Sequence, residues 1–224
     1  MRTIVKDVMS THPISVPETT SFKELAARFR EFRVSGFPVV DDDGTVVGVV
    51  SAADLLAKQA LDGGYDGLRG VITGILHHKA LKKASGVTAG DLMTSPAVTI
   101  TPDDTVEHAA WLMYTRRLKR LPVVDAAGRV VGTISRTDVL AVFDRHDEEI
   151  RREIVGEVIP RLSEPSWYSV VVKGGIVTLE GTPETISIGH DVLTRVRHVE
   201  GVVALHDRFV YPAPPAPATP GPRL

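Results

Sequence analysis

The sequence of 224 residues contains no cysteine, which excludes disulfides, thiol catalysis and cysteine-based zinc sites. A basic excess is also missing, because 26 Lys and Arg face 28 Asp and Glu. Dedicated nucleic-acid binders usually carry strong positive charge, so we expect no nucleic-acid partner. No stretch approaches the ~18 apolar residues of a membrane span. The N-terminus does not resemble a secretory signal, and we therefore expect a cytoplasmic protein.

Catalytic motifs are absent as well. The sequence has no Gly-x-Ser-x-Gly elbow, no P-loop and no H-E-x-x-H zinc motif. His77 and His78 are adjacent, so they would not share a helix face and are a poor metal pair. The sequence thus predicts no catalytic residue, no metal site and no enzyme activity.

An internal repeat organises most of the chain. Residues 37–56 read FPVVDDDGTVVGVVSAADLL and residues 121–140 read LPVVDAAGRVVGTISRTDVL, and the offset that relates Pro38 to Pro122 is constant throughout. Upstream, residues 7–9 (DVM) match residues 91–93 (DLM). Between these motifs the copies align loosely, and we expect a small length change there. A repeat of this kind is typical of one structural unit used twice.

Each copy has the pattern of a β-α-β-β-α unit. A short alternating strand precedes a helix with apolar residues at helical spacing, for which Ser21 and Glu24 suggest a capping box. A hairpin and a second helix follow, and the apolar second hairpin strand is expected to be buried on both faces. In the first copy the expected elements are strand 14–16 ended by Pro17, helix from 22, strand 38–40, turn 41–44, strand 46–50 and helix from 51.

A unit of about 50 residues buries too little surface to be stable alone. We therefore expect an α+β fold in which the two copies pack sheet against sheet about a pseudo-twofold axis. This packing would leave two symmetry-related clefts between the copies. The expected boundaries are 1–61 for the first copy, 62–90 for a linker with a short basic helix at 72–83, and 91–145 for the second copy.

The doubled pattern Pro-Val-Val-Asp-x-x-Gly-x-x-x-Gly followed by Ser-x-x-Asp resembles the CBS-domain family. The resemblance implies a Bateman module, a CBS pair that binds adenosine-containing ligands in its clefts and often forms a homodimer. The expected regulatory ligand is AMP, ADP, ATP or S-adenosylmethionine.

Two aspartates are the first candidates for ligand contact. Asp54 and Asp138 fall in the first turn of a helix, where a carboxylate can accept two hydrogen bonds from a ribose diol. Ser51 and Ser135 fall at the N-cap, where a hydroxyl and free N–H groups can meet a phosphate. The alternative is that Ser-x-x-Asp is an ordinary N-capping arrangement.

Basic residues favour the cleft that contains Asp138. Arg116, Arg117, Lys119, Arg120 and Arg136 surround the second motif and would suit a polyphosphate or a phosphate monoester, unless they are only a solvated helix face. The purine ring would lie between the backbones near positions 36–37 and 120–121. The full expected ligand-binding set is Ile14, Gly36, Phe37, Pro38, Ser51, Asp54, Val98, Thr99, Lys119, Arg120, Leu121, Pro122, Ser135, Arg136 and Asp138.

Residues 146–211 predict a separate α-β-β-α-β domain. The expected elements are a helix at 147–162 disturbed by Pro160, strands at 167–173 and 176–180, a helix at 184–199 and a strand at 202–210. The run from Gly175 to Gly181, followed by Gly201-Val202, resembles a BON domain. That resemblance implies protein contact or, less favoured without an export signal, lipid contact. Residues 212–224 hold six prolines and predict a disordered tail.

Two functions are consistent with the sequence. The first is a ligand sensor that signals through a dimer, or through the BON-like domain, to an unidentified protein partner. The second is a constitutive interaction scaffold, associated with other proteins or with an envelope, whose clefts are vestigial.

Overall fold

The computed structural model describes residues 3–62, 86–162 and 165–212. The chain divides into two compact units, of which one is Thr3–Val139 and the other begins at Leu140. The predicted helix at 72–83 and the tail beyond Pro212 lie outside the described residues. The two units are considered separately.

The first copy has six elements and the second has five. The first contains α1 (Val5–Val8), β1 (Val16–Pro17), α2 (Phe22–Phe32), β2 (Gly36–Val40), β3 (Val46–Ser51) and α3 (Ala52–Asp62). The second contains α4 (Ala89–Leu92), α5 (Val106–Thr115), β4 (Arg120–Val124), β5 (Val130–Ser135) and α6 (Arg136–Ala141). The predicted β-α-β-β-α order is present in the first copy; in the second, a single β-bridge takes the place of the first strand.

The constant offset between the copies holds through the whole copy, so the expected length change is wrong. Ser21 and Thr105 are equivalent N-caps, and each accepts a hydrogen bond from the backbone N–H three residues later. Val16 pairs with Val39 in parallel register, and Ile100 makes the equivalent bridge to Val123. These segments therefore align without gaps, although their sequences are only loosely similar.

Two local predictions in the first copy need correction. The strand begins at Val16 and includes Pro17, which is tolerated because β1 lies at the edge of its sheet. Ser21 caps α2, but Glu24 does not complete the capping box, because its carboxylate binds Arg28 at 2.9 Å. An ion pair between residues four apart thus takes the place of the capping-box contact from the backbone N–H of Ser21 to the Glu24 carboxylate.

The hairpins form the centre of each copy. β2 pairs with β3 and β4 with β5, both antiparallel and both with an irregularity at the equivalent place. Within β3 only Gly48 and Val50 are fully buried, while its valines at 46, 47 and 49 are half-buried. The expectation that this strand is buried on both faces is therefore wrong. The face of Gly48 and Val50 is buried, whereas the other face is only half-buried, although Val47 still packs against the core.

The two copies exchange their first segments. Ala89 and Leu92, from the start of the second copy, are fully buried in the core of the first copy. In return, Ser10 forms a two-way bridge with Thr133 of β5, with N···O distances of 2.9 and 3.0 Å. The bridge between Val49 and Thr94 repeats this contact on the other side. Neither copy is complete without the other.

The unit beginning at Leu140 follows the predicted α-β-β-α-β order. It contains α7 (Asp147–Glu153), β6 (Tyr168–Lys173), β7 (Ile176–Gly181), α8 (Ile186–Arg197) and β8 (Ala204–Phe209). The sheet order is β6-β7-β8, with β6 antiparallel and β8 parallel to β7. Its core is formed by apolar side chains of α7, the following turns, the sheet and α8.

The predicted helix at 147–162 is not a single α-helix. After α7 the chain continues as a π-helical turn over Ile154–Val158 and a 3₁₀ turn over Ile159–Arg161. Pro160 has no N–H to donate to the carbonyl of Gly156, four residues earlier, so α-helical bonding does not resume after the π-helical turn. Trp167 also lies in a 3₁₀ turn, so β6 starts one residue later than predicted.

The hairpin between β6 and β7 is fixed by a carboxylate from α7. Gly174 and Gly175 both have positive φ, 58° and 73°, as a tight two-residue turn requires. Both donate their backbone N–H groups to Asp147, at 2.7 and 2.8 Å. The bonds from Gly175 and Gly174 stabilise the charged form and lower the pKa of Asp147.

Candidate functional site

A cavity of about 240 Å³ lies between the two copies. The first copy supplies one wall and the second copy supplies the other. Its lining residues are Ser10, His12, Ile14, Val34, Phe37, Arg120, Thr133, Ser135 and Asp138. Five of these were predicted as ligand contacts from the sequence: Ile14, Phe37, Arg120, Ser135 and Asp138. They belong to the cleft that contains Asp138.

Asp138 presents one occupied and one unoccupied carboxylate oxygen. Its Oδ2 accepts hydrogen bonds from the backbone N–H and the hydroxyl of Ser135, both at 2.7 Å. Among the described residues no group donates to Oδ1. The arrangement therefore satisfies both interpretations of Ser-x-x-Asp: Oδ2 caps α6, and Oδ1 can accept a hydrogen bond from a ligand.

Arg120 brings a cation to the same wall. It lies opposite Ser135 in the β4–β5 ladder, and directly opposite residues of an antiparallel pair project to the same face. Its Nε is buried and has no hydrogen-bond partner in the part of the chain that the structure describes. A buried donor without an acceptor is costly, and the Arg120 side chain that carries it is part of the cavity lining.

Part of the opposite wall is apolar. Phe37 is fully buried, and its ring packs on Phe29 with the centroids 4.6 Å apart. Ile14 and Val34 extend this surface into the cavity. A cavity lined by apolar side chains, a carboxylate and a guanidinium suits a ligand with an aromatic part and a polar part.

Four lining residues were missed by the sequence interpretation: Ser10, His12, Val34 and Thr133. Ser10 and His12 enter the cavity because their segment pairs with Thr133 of the other copy. The only sequence signal was that they directly follow the repeated motif at 7–9. Local patterns did not indicate which copy that motif packs against.

Several predicted contacts lie away from this cavity. Leu121 is fully buried in the core, and Pro38 and Pro122 are buried within β2 and β4. Arg136 donates from Nε to the carbonyl of Leu118 at 2.8 Å, and its backbone N–H donates to the carbonyl of Lys119 at 3.2 Å. These contacts fix the start of α6 beside the cavity wall.

The remaining predicted residues occupy the equivalent positions in the other half of the pair. Ser51 donates to Asp54 from its backbone N–H at 2.9 Å and from its hydroxyl at 2.6 Å. Gly36 lies opposite Ser51 in the β2–β3 ladder. Val98 and Thr99 correspond to Ile14 and Ser15 under the constant offset, so they hold in the second copy the positions that Ile14 and Ser15 hold in the first.

Within residues 3–62, 86–162 and 165–212, His, Asp and Glu form no group of three that could hold a metal ion. In the same ranges no helix combines the length and apolar character that a membrane crossing needs.

The CBS-domain family profile matches residues 5–60 and 89–145. The chain belongs to the CBS-domain family. The matched segments coincide with the two copies of the pair, and the second match begins with α4. The elements from Asp147 onward lie outside the matched residues, so the resemblance of the C-terminal unit to a BON domain rests on its residues and element order.

Similar proteins carry the same pair. CBS domain-containing protein CBSX1, chloroplastic, from Arabidopsis thaliana is 34% identical over 135 residues, covering 56% of each chain. The chain spans less than two thirds of the length of that relative and of chloroplastic CBSX2, at 56% and 60%.

Two solved structures of CBS pairs also resemble this chain. The crystal structure of Arabidopsis CBSX2 in complex with AMP has 33% identity and a TM-score of 0.52, covering 62% of this chain and 94% of that one. The CBS pair of protein MJ0100 in complex with 5′-methylthioadenosine and S-adenosyl-L-methionine has 26% identity and a TM-score of 0.51, covering 64% and 98%.

Proposed function

We propose that the CBS pair is a non-catalytic regulatory module that binds an adenosine-containing ligand in the Asp138 cleft. The observation that supports this proposal is the cavity, whose lining includes both Asp138 and Phe37, together with the hydrogen bonds of Ser135, which engage only Oδ2 of Asp138. The related pairs of CBSX2 and MJ0100 hold AMP, and 5′-methylthioadenosine with S-adenosylmethionine, which supports the same ligand class here.

In this proposal each wall recognises one part of the ligand. The carboxylate of Asp138 accepts hydrogen bonds from the ribose diol, while Ser135 holds the carboxylate in position through Oδ2. The adenine lies against Ile14 and Phe37. The volume of about 240 Å³ lies just below the ~300–1,000 Å³ of typical small-molecule sites, which suits one nucleoside more than a dinucleotide.

The ligand would regulate by joining the two copies. Its ribose side contacts the second copy and its base contacts the first, so binding stabilises one arrangement of the pair over others. A ligand shifts a conformational equilibrium only by its difference in affinity between the two states. We propose that a homodimer partner and the C-terminal unit respond to this arrangement of the pair. The proposed location is the cytoplasm, whereas the matched CBSX relatives are chloroplastic.

The C-terminal unit is proposed as a BON-like protein-contact domain. Its α-β-β-α-β order and the two-glycine hairpin support this, and Val171 and Ile176 of the sheet remain 47% and 40% exposed. In this role it would bind the unidentified protein partner, with lipid contact as the less favoured alternative.

The deciding experiment is calorimetric titration of the full chain with AMP, ADP, ATP, S-adenosylmethionine and 5′-methylthioadenosine, with thermal unfolding in parallel. A ligand at a hundredfold excess over its Kd stabilises the fold by about 2.7 kcal/mol. Asp138→Asn keeps the size of the side chain and removes its charge, and Asp54→Asn is the matched control in the other half of the pair. We expect Asp138→Asn to weaken binding at least tenfold.

The outcomes separate the two functions. Loss of binding in Asp138→Asn but not in Asp54→Asn supports the sensor at this cleft. If no compound binds, while a partner copurifies independently of nucleotide, the constitutive scaffold replaces the sensor. Binding that both variants retain would show that the ribose is held elsewhere.

A further inference from the structure

One end of the C-terminal unit carries several aromatic side chains in contact. Tyr168 starts β6 and Phe209 ends β8, and both lie opposite Gly181 of β7. Their rings meet edge to face with the centroids 5.9 Å apart, and the rings of Phe209 and Tyr211 meet in the same way at 6.2 Å. The Tyr211 hydroxyl in turn lies against Gly189 of α8. These three rings and the neighbouring Trp167 form the aromatic row.

The aromatic row is only partly covered by the residues that the structure describes. Trp167 is 50% exposed, and Tyr211 is exposed as well. Two exposed aliphatic side chains adjoin the row: Val210 precedes Tyr211, and Ile186 lies one turn before Gly189 on α8. Exposed apolar side chains that cluster in this way mark an interaction site.

The polar atoms of the row are hydrogen-bond donors. Among the described residues no group accepts a hydrogen bond from the indole N–H of Trp167 or from the hydroxyls of Tyr168 and Tyr211. Burial, followed by the nearby Glu184 and Tyr211, raises the pKa of Tyr168, so its hydroxyl keeps its proton at neutral pH. An indole can only donate. The row therefore suits a partner that offers acceptors and apolar rings but few donors.

A proline-rich peptide has this chemistry. Proline offers a carbonyl acceptor and an apolar ring and has no N–H, and proline-rich segments dock into aromatic-lined grooves. Residues 212–222 of this chain read PAPPAPATPGP and contain six prolines. They follow Tyr211 directly, and Arg223 behind them is opposite in charge to Glu184 beside the row. The chain thus carries both an aromatic row and a sequence of the class that such surfaces bind.

The proline-rich segment of the same chain is poorly placed to cover its own row. The chain passes Phe209 and then Tyr211, and so it leaves the row at one end. Covering the row would need a tight reversal soon after Pro212. A residue before proline is kept out of the right-handed helical region that a type I turn needs, and the first glycine suited to a type II turn is Gly221. The segment of a second copy has no such restriction.

We propose that the proline-rich segment 212–222 of one copy binds the aromatic row of a second copy. Two copies related by a twofold axis can exchange these segments reciprocally, because each carries both the row and the segment. The inference rests on the proposed role of the C-terminal unit in protein contact, and it is independent of the ligand of the CBS pair.

The first test is a fluorescence-anisotropy titration with a labelled peptide of residues 212–224. The protein is the full chain with its own segment weakened by three substitutions, Pro214→Ala, Pro215→Ala and Pro217→Ala. We expect saturable binding, and binding weaker by about fivefold or more for a peptide that carries the same three substitutions. Trp167→Ala should weaken the unchanged peptide by about fivefold or more. Trp111→Ala removes a 58% exposed tryptophan from α5 of the CBS pair, and this matched control should leave binding unchanged.

The other outcomes of this titration contradict the proposal. Equal binding of the two peptides, or binding that Trp167→Ala leaves intact, would overturn the assignment of the aromatic row. Equal losses in Trp167→Ala and Trp111→Ala would show contact without a defined site and would overturn it as well. If no peptide binds, the exchange between copies is refuted, whereas the nucleotide titration and partner copurification still test the proposed function. Circular dichroism confirms that each variant is folded.

A cross-linking test distinguishes a second copy from the same chain. Because the sequence contains no cysteine, a pair of introduced cysteines is unique. The full chain with Ile186→Cys and Thr219→Cys should form covalent dimers on mild oxidation, whereas an internal disulfide in a monomer would overturn the second copy as occupant. The control combines Thr219→Cys with Val203→Cys, a 65% exposed position at the opposite end of the sheet, beside Gly175. Dimer yields no higher than in this control would overturn the placement on the row.

Discussion

Met9 packs against Gly132, across the boundary between the two copies. A Cβ atom at Gly132 would lie 2.7 Å from the Met9 sulfur and 2.9 Å from the carbonyl oxygen of Ser10. Met93 lies against Gly48 in the equivalent position. The glycines of the repeated hairpin motif are therefore needed where the exchanged segments approach the strands.

Gly132→Ala should destabilise the CBS pair by about 1–3 kcal/mol, as overpacking of a close contact does. We expect a smaller loss for Gly48→Ala, because the atoms nearest its Cβ belong to the flexible Met93 side chain rather than to backbone. Urea titration gives the free energy of unfolding of both variants and so tests which of the two loses more stability. Gly156→Ala, with no atom within 4 Å of the new methyl group, is the control and should not be destabilised. Equal stability of Gly132→Ala and the parent would contradict the contact.

Arg33→Gly and Arg117→Gly should each stabilise the CBS pair. These arginines end the equivalent helices with positive φ, 51° and 55°. A left-handed conformation costs an L-residue ~1–2 kcal/mol, and the extra freedom of glycine in the unfolded chain offsets part of that, so the net gain is about 0.5–1 kcal/mol. Arg30→Gly, inside α2, should instead lose about 1 kcal/mol. Urea titration measures all three variants, and a loss of stability in Arg33→Gly as large as in Arg30→Gly would refute this explanation.

Asp138→Ala and Asp54→Ala should lose similar stability without ligand, by about 0.5–2 kcal/mol, because each aspartate caps its helix start. Their effects on AMP binding should differ, since only the Asp138 cleft is proposed to hold AMP. Urea titration and calorimetry on the same two proteins separate the capping role from the ligand role. Equal losses in both measurements would reduce the motif to a structural cap.

Asp147→Asn should destabilise the C-terminal unit at neutral pH, because an amide cannot replace both acceptor contacts to Gly174 and Gly175. Since the pKa of Asp147 is lowered in the fold, its contribution is complete above the ordinary Asp pKa of about 3.9 and declines as the pH falls below it. The difference in Tm between variant and parent should therefore narrow on acidification. Glu149→Gln, on the exposed first turn of α7, is the control, and a constant difference from pH 7 to 3 would contradict the prediction.

Local sequence patterns predicted the β-α-β-β-α elements of the first copy and most of the C-terminal unit, but they missed α1 and α4. Helix caps, the Asp-Gly turns and the two-glycine hairpin are encoded within a few residues, so a single sequence reveals them. The exchange of first segments is a long-range choice between two copies with the same motif, and local patterns do not encode it. For that reason Asp138 and Phe37 were predicted as ligand contacts, whereas Ser10, His12 and Thr133 were missed.

The reciprocal exchange bears on how such a chain could arise. A single copy would leave the site of the missing first segment open and would have its own first segment without a place to pack. Two separate copies could satisfy each other only as a symmetric dimer with swapped ends. The present chain has the arrangement of such a dimer fused into one polypeptide. Fusion releases each half from the requirement to be identical, and Arg120 could then appear on one side while Gly36 remained on the other.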